Sequence, residues 1–180
     1  MHYITAENYL CFYAILEMII EDMTGQKVKQ EVLAEQFGIK VPQYYQSNII
    51  NVSRTSKDYE LGAFIDAEKI NSYFVDKNFN INMEYKGVEK ISEYDVEQQM
   101  DRLFKTNEYL IAGISYGILY NIPQYRDVGH CVLIENIIGE NADIYDPGPK
   151  GSGKKRTKIE HLYEAMRIRR GGLVIFNKKS

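Results

Sequence analysis

The sequence predicts an α+β domain in which a helical half precedes an antiparallel sheet. Three observations carry this reading. Apolar residues recur at helical spacing through most of the first hundred residues. From Tyr109 onward the apolar runs become short and β-rich, and are bounded by Gly, Pro, Asn and Asp. No Pro-, Gly- or Ser-rich linker divides the two parts, so residues 1–180 are expected to form a single domain.

The elements follow in order. Residues 8–23, NYLCFYAILEMIIEDM, carry apolar side chains at 10, 11, 14, 15, 18 and 19, which predicts a broad, central helix with Asn8 as N-cap and Gly25 beyond its end. KQEVLAEQFGI reads as a second helix stopped by Gly38. Residues 40–58 are polar and irregular and read as a long loop. YELGAFIDAEKINSYFVDKNF reads as a third helix and INMEYKG as an edge strand. SEYDVEQQMDRLFKTN reads as a helix opened by a capping-box-like Ser92-x-x-Asp95. Strands are predicted over 109–116, 129–138, 142–146 and 171–177. GENA makes a hairpin turn between the second and third, and a basic helix, KIEHLYEAMRI, separates the third from the last.

Composition narrows the function classes. With 44% hydrophobic and 26% charged residues and four prolines, the chain has the balance of a globular domain rather than a disordered one. The longest apolar runs fall far short of a membrane span. The start, MHYITAENYL, lacks a basic n-region and a small-residue cleavage site, so a cytoplasmic protein with no membrane partner is expected. In such a compartment Cys11 and Cys131 are expected as free thiols. The net charge of −3 hides an asymmetry: residues 147–180 hold ten Lys/Arg and two acids. Glycines at 148, 151 and 153 predict an adaptable loop that presents Lys150, Lys154, Lys155, Arg156 and Lys158, either as a solvated face or as a docking patch for an acidic partner. GPKGSGKKRT lacks the order of a phosphate-binding loop, and no nucleic-acid-reading motif is present, so nucleic acid is not expected as a partner. No organic cofactor fingerprint occurs, and the Cys and His spacing matches no zinc motif, so neither cofactor nor metal is expected.

Three residues could share one site. Cys11 lies in the first turn of the predicted central helix, where free amide N–H groups and the macrodipole favour a thiolate; it could equally be a small apolar residue on the buried stripe. His130 opens a strand, where it can face a cleft, and alternation sends Cys131 to the opposite face and into the core. Asp146 ends the next strand before Pro147 and Gly148. It is either a turn residue or, through the hairpin, a carboxylate that holds the imidazole.

Cysteine on an N-terminal helix, histidine on a strand and aspartate on the following strand resemble the papain-like cysteine peptidases, in particular the compact branch that includes bacteriocin leader-processing enzymes. The segment GHCVLIENIIGENADIYDPG carries the likeness. It implies a central helix bearing the nucleophile, a sheet bearing His130 and Asp146, and acyl-thioenzyme chemistry on Cys11. Family peptidases place a glutamine shortly before the cysteine as oxyanion donor; here that place holds Thr5. The oxyanion hole would then consist of Asn8 and the backbone N–H of Cys11. Enzymes of bacterial natural-product pathways, including the amide synthase of thioamide antibiotic assembly, are also similar to this chain. They pass an acyl group from a carrier-protein thioester to a small amine, and acyl carrier proteins are acidic. Acyl transfer is therefore expected ahead of proteolysis of a peptide substrate. A catalytically inactive binding module is a third reading, and a homodimer remains compatible with each.

Overall fold

Six α-helices and nine strands occur among the residues described by the computed structural model, which are 1–148 and 153–179. Helix α1 (Cys11–Thr24) is followed by α2 (Gln30–Phe37), β1 (Ile39–Pro42), β2 (Val52–Thr55), β3 (Gly62–Ala63), α3 (Ala67–Asp76) and β4 (Ile81–Gly87). The second half comprises α4 (Val96–Thr106), β5 (Tyr109–Ser115), α5 (Tyr116–Leu119), β6 (Gly129–Ile138), β7 (Asn141–Asp146), β8 (Gly153–Lys158), α6 (Ile159–Arg169) and β9 (Gly172–Lys178). The fold is α+β. Strands β4 to β9 form a six-stranded antiparallel sheet in the order β4-β9-β5-β6-β7-β8.

Strand alternation divides this sheet between two apolar layers. Ile111, Cys131, Leu133, Val174 and Phe176 pack under α1, whereas Leu110, Val132, Ile134 and Ile144 pack against Met100 of α4 and Leu162, Ala165 and Met166 of α6. Helix α1 is buried continuously from Phe12 to Ile20, as expected of a helix that is apolar nearly all round. Burying each such Leu or Ile contributes roughly 1.5–3 kcal/mol. Truncating Leu16, which has no exposed surface, would cost about 2–5 kcal/mol and loosen the platform on which Cys11 stands.

Four expectations need correction. Helix α1 starts at Cys11 rather than residue 8, because Tyr9 adopts a left-handed conformation (φ 68°) that ends any helix continuing upstream. Residues 40–58 are not all loop: β1 pairs in parallel with β2 and antiparallel with β3 in a small sheet, from strands too short and irregular to show alternation. The third helix covers only 67–76. Gly62 at φ 108° lies in β3, and the Asp66 carboxylate accepts a hydrogen bond from the Lys69 amide to start α3 there. Ser92 makes no side-chain cap; a single 3-10 turn at Glu93–Asp95 intervenes before α4. The hairpin at Gly139 (φ 56°) and the edge position of β4 agree with the sequence reading.

Candidate active site

Asn8 and Tyr9 make a turn closed by the Leu10 amide on the Glu7 carbonyl (3.0 Å), and the Leu10 carbonyl then accepts the Ala14 amide (2.8 Å). Leu10, almost fully buried, is the residue that flanks the helix, and no side chain caps α1. This overturns Asn8 as N-cap and leaves its amide exposed beside the helix start. Cys11 is the first helical residue, and the first amides of a helix have no intrahelical acceptor. A buried polar hub holds the approach to this turn. Gln30 donates to the Thr5 carbonyl (3.1 Å) and accepts from the Glu7 amide (2.9 Å), while its own amide donates to the buried Glu17 carboxylate (2.8 Å). The Ala6 amide donates to the Pro147 carbonyl (2.7 Å), which ties the same segment to the end of β7.

The pairing of β6 with β7 sets Leu133 against Tyr145. Continuing this register puts Asp146 opposite Val132, one same-face step from His130, a spacing that long side chains bridge. His130 Nε2 lies 2.7 Å from Asp146 Oδ1. The same oxygen accepts the Gly148 amide (2.8 Å), and the Tyr120 hydroxyl donates to Oδ2. Tyr116 stands edge-on to the imidazole, with ring centroids 5.4 Å apart. Burial alone would raise the Asp146 carboxyl, but the His130 hydrogen bond and charge, with Tyr120 and Gly148, bring it below its ordinary value. Burial would lower His130. Hydrogen bonds to Asp146 and Cys11 and the charges of both outweigh that and raise it to about 10.

His130 and Cys131 point to opposite faces, as alternation requires. Cys131 is buried in the core layer, as expected; because α1 covers that face, it also meets Cys11 there. Cys11 sits over the end of β6 and touches both residues. Hydrogen bonding to Cys131 is the largest cause that brings its thiol well below the ordinary value; burial opposes this, and the hydrogen bond and positive charge of His130 reinforce it. Cys131 is correspondingly raised, first by its hydrogen bond to Cys11 and then by burial. The arrangement favours a thiolate on Cys11 beside an imidazolium on His130.

Two open cavities meet at this pair. One, of about 270 Å³, runs under Leu61, Ala63, Ile65 and Val174 and reaches Arg169. The other, of about 360 Å³, is lined by Glu7, Asn8, Tyr116, Tyr125 and Gly148. Tyr9, Cys11, Val128, Gly129 and His130 border both.

The basic segment differs from the expected loop. Lys154, Lys155, Arg156 and Lys158 lie on β8, an edge strand paired to β7, and Lys150 lies outside the described residues. Acids on β6, on β7 and in the turn between them offset three of them: Lys154 with Glu135 (3.2 Å), Arg156 with Asp143 (2.7 Å) and Lys158 with Glu140 (3.1 Å). Lys155 lies over the Tyr120 ring.

Sequence reasoning missed Tyr116, Tyr120, Gln30 and the Cys11–Cys131 contact. The tyrosines were legible only as an i, i+4 pair just after a strand, a pattern that core packing also produces. Among the described residues no group of three or more His, Cys, Asp or Glu could hold a metal ion, and no helix is long and apolar enough to cross a membrane. No family model matches the chain, and no curated protein matches it.

Proposed function

We propose that the chain is a cysteine acyltransferase of papain-like architecture, which takes an acyl group from a thioester onto Cys11 and passes it to an amine. The observation that carries this reading is the position of Cys11. It stands at a helix start, against an imidazole pinned by a buried carboxylate, where two separate cavities meet. One cavity can hold the acyl half of the donor and the other the leaving group and then the acceptor. Glu7 in the second cavity suits an amine.

In the first half-reaction the Cys11 thiolate attacks the thioester carbonyl. The Cys11 N–H and the Asn8 amide supply donors for the oxyanion. Collapse breaks the carbon–sulfur bond and releases the donor thiolate, which takes the proton from the His130 imidazolium. The now neutral His130 accepts a proton from the amine as it attacks the acyl-enzyme, and collapse returns the Cys11 thiolate beside imidazolium. Asp146 keeps the ring in one orientation throughout and stabilises its charged form.

Cysteine proteolysis is the second reading. It is favoured by the raised His130, an acid able to protonate a departing amide nitrogen. A thioester needs no such protonation and tolerates a weak oxyanion hole, which ranks acyl transfer first. Intact mass of the protein after incubation with acyl thioesters tests the proposal. A single acyl adduct is expected, absent in Cys11→Ala and discharged by amines faster than by water. Cleavage of unactivated peptides without aminolysis would reverse the ranking, and absence of any adduct would overturn acyl transfer.

A further inference from the structure

The cavity under Leu61, Ala63 and Ile65 has an apolar wall, and two cations, Arg169 and Arg170, border it as well. Arg169 belongs to the last turn of α6, and a cation there complements the helix dipole. That explains a basic residue but not its placement. Arg167 in the same turn pairs with Glu164, and Arg170, though exposed, borders the same cavity as Arg169. The guanidinium of Arg169 instead folds back over Gly129: a Cβ at that glycine would fall 2.6 Å from Arg169 Nε and 2.7 Å from Nη2. The absent side chain at 129 makes the seat. Arg169 Nη2 donates to the Tyr59 carbonyl, and Arg169 makes no ion pair among the described residues. A guanidinium has five N–H donors, so most remain for a ligand. Its charge acts on the Cys131 sulfur, which itself touches Cys11.

We infer that Arg169 is a specificity residue that binds a carboxylate carried by the acyl half of the substrate. The inference rests on the acyl-transfer reading for the identity of the substrate, though not for the existence of the anion site. The location selects the ligand. Gly129 precedes His130 in the chain, so an anion seated on Arg169 lies near the reacting carbonyl. That suits a short dicarboxylic or amino-acid-derived acyl group with an apolar spacer along Ala63 and Val174. A phosphate at the far end of a carrier's thiol arm would lie on the leaving-group side of Cys11, away from this cavity. Planar, bidentate geometry makes arginine the fitting partner for carboxylate, and lysine a poorer one.

Two measurements test this. The first compares alkylation of Cys11 by iodoacetate and by iodoacetamide, which differ in a carboxylate; the ratio of their rates cancels any general change in thiol reactivity. Arg169→Gln should lower the ratio at least about tenfold, the least that a hydrogen bond to a charged group is worth. Arg169→Lys should fall between, and Arg167→Gln, outside the cavity and in the same helical turn, serves as a control with an unchanged ratio. An unchanged ratio in Arg169→Gln, or an equal loss in Arg167→Gln, overturns the inference. The second compares succinyl and butyryl thioesters of N-acetylcysteamine and of coenzyme A, read as acyl-enzyme by mass. Wild type should favour succinyl on both carriers, and Arg169→Gln should lose that preference. A dependence on Arg169 seen only with the coenzyme A thioesters assigns the guanidinium to a phosphate and overturns the inference. If no thioester labels Cys11 while the alkylation ratio still depends on Arg169, the anion site stands and the acyl-transfer reading falls.

Discussion

His130 Nε2 meets Asp146 Oδ1 at 2.7 Å, with the carboxylate wholly removed from solvent. An ionised carboxylate only accepts, so Nε2 carries the proton, and the ring nitrogen left to meet Cys11 is Nδ1. The tautomer is thereby decided by a residue that never touches the sulfur.

The pH dependence follows from the two opposed shifts. Cys11 is lowered, so its thiolate persists to lower pH than that of an ordinary thiol; His130 is raised to about 10, so its imidazolium persists up to about that pH. Alkylation of Cys11 by iodoacetamide should therefore be near its plateau at pH 7, where an ordinary thiol of pKa about 8.5 is mostly protonated. Asp146→Asn removes a charge that holds the imidazolium. Its alkaline limb should therefore move down from about 10. His130→Ala should cost ~10²–10⁴-fold in turnover, more than Asp146→Asn. An alkaline limb unmoved by Asp146→Asn would count against the coupling.

Cys11→Ala should abolish both labelling and turnover. Cys131→Ala should keep turnover at mildly alkaline pH but move the acid limb of Cys11 labelling upward, because it removes the hydrogen bond that most lowers the thiol. Cys131→Ser, which retains a donor, should move it less. Labelling at Cys131 in the wild type would show that the nucleophile has been misassigned.

Tyr120→Phe takes a donor from buried Asp146 Oδ2 and leaves His130 and Gly148 on the other oxygen. Losing one partner of a buried charged acceptor costs about 1–3 kcal/mol, or roughly 2–4 °C in thermal midpoint per kcal/mol for a chain of this size. A calorimetric scan decides it, and an unchanged midpoint would mean the bond contributes nothing net.

The β-rich half was legible apart from β8, whose lysines and glycines read as a loop, because His130, Asp146 and the glycine turn between them belong to one hairpin, where local pattern and tertiary neighbour coincide. The first half was less so. Residues 40–58 pair across loops, and pairing between irregular four-residue strands leaves no period to read. The contact of Cys131 with Cys11 failed for a different reason. Alternation correctly separated Cys131 from His130 but could not say which face α1 would cover. The N-terminus of α1 was misread because Asn8 is a good cap by type, while the left-handed Tyr9 and the buried Leu10 put the helix start three residues later.

That later start makes a clean test of Asn8. A capping residue lost to alanine would lower stability by ~1 kcal/mol. Asn8 caps nothing, so Asn8→Ala should leave the thermal midpoint unchanged. As an oxyanion donor it should lower kcat by ~10²–10³-fold with KM little altered. A full rate in Asn8→Ala would leave the Cys11 N–H as the donor in hand and put the oxyanion role elsewhere.

The basic strand asks a separate question, because three of its cations already face acids. Arg156 is held by two hydrogen bonds to Asp143, and reversing its charge would set like charges across β7 and β8, which damages the sheet before it informs on a partner. Lys155 lies over Tyr120, so its reversal acts on Asp146 as well. Lys154 and Lys158 are exposed, and each makes a single ion pair with an acid; Lys154 also lies over the Tyr3 ring, away from Asp146. Lys154→Gln with Lys158→Gln, which removes both charges without setting like charges beside Glu135 and Glu140, is therefore the informative pair. If an acidic carrier protein delivers the thioester, this variant should react several-fold more slowly with carrier-bound substrate at low salt. The difference should fade as the Debye length shrinks toward about 8 Å at physiological ionic strength, since rim charges act on association. Reaction with the N-acetylcysteamine thioester should hold. Equal losses with both substrates would assign the strand a structural role. No loss with either would make β8 a guarded sheet edge, whose lysines keep other chains from pairing with it.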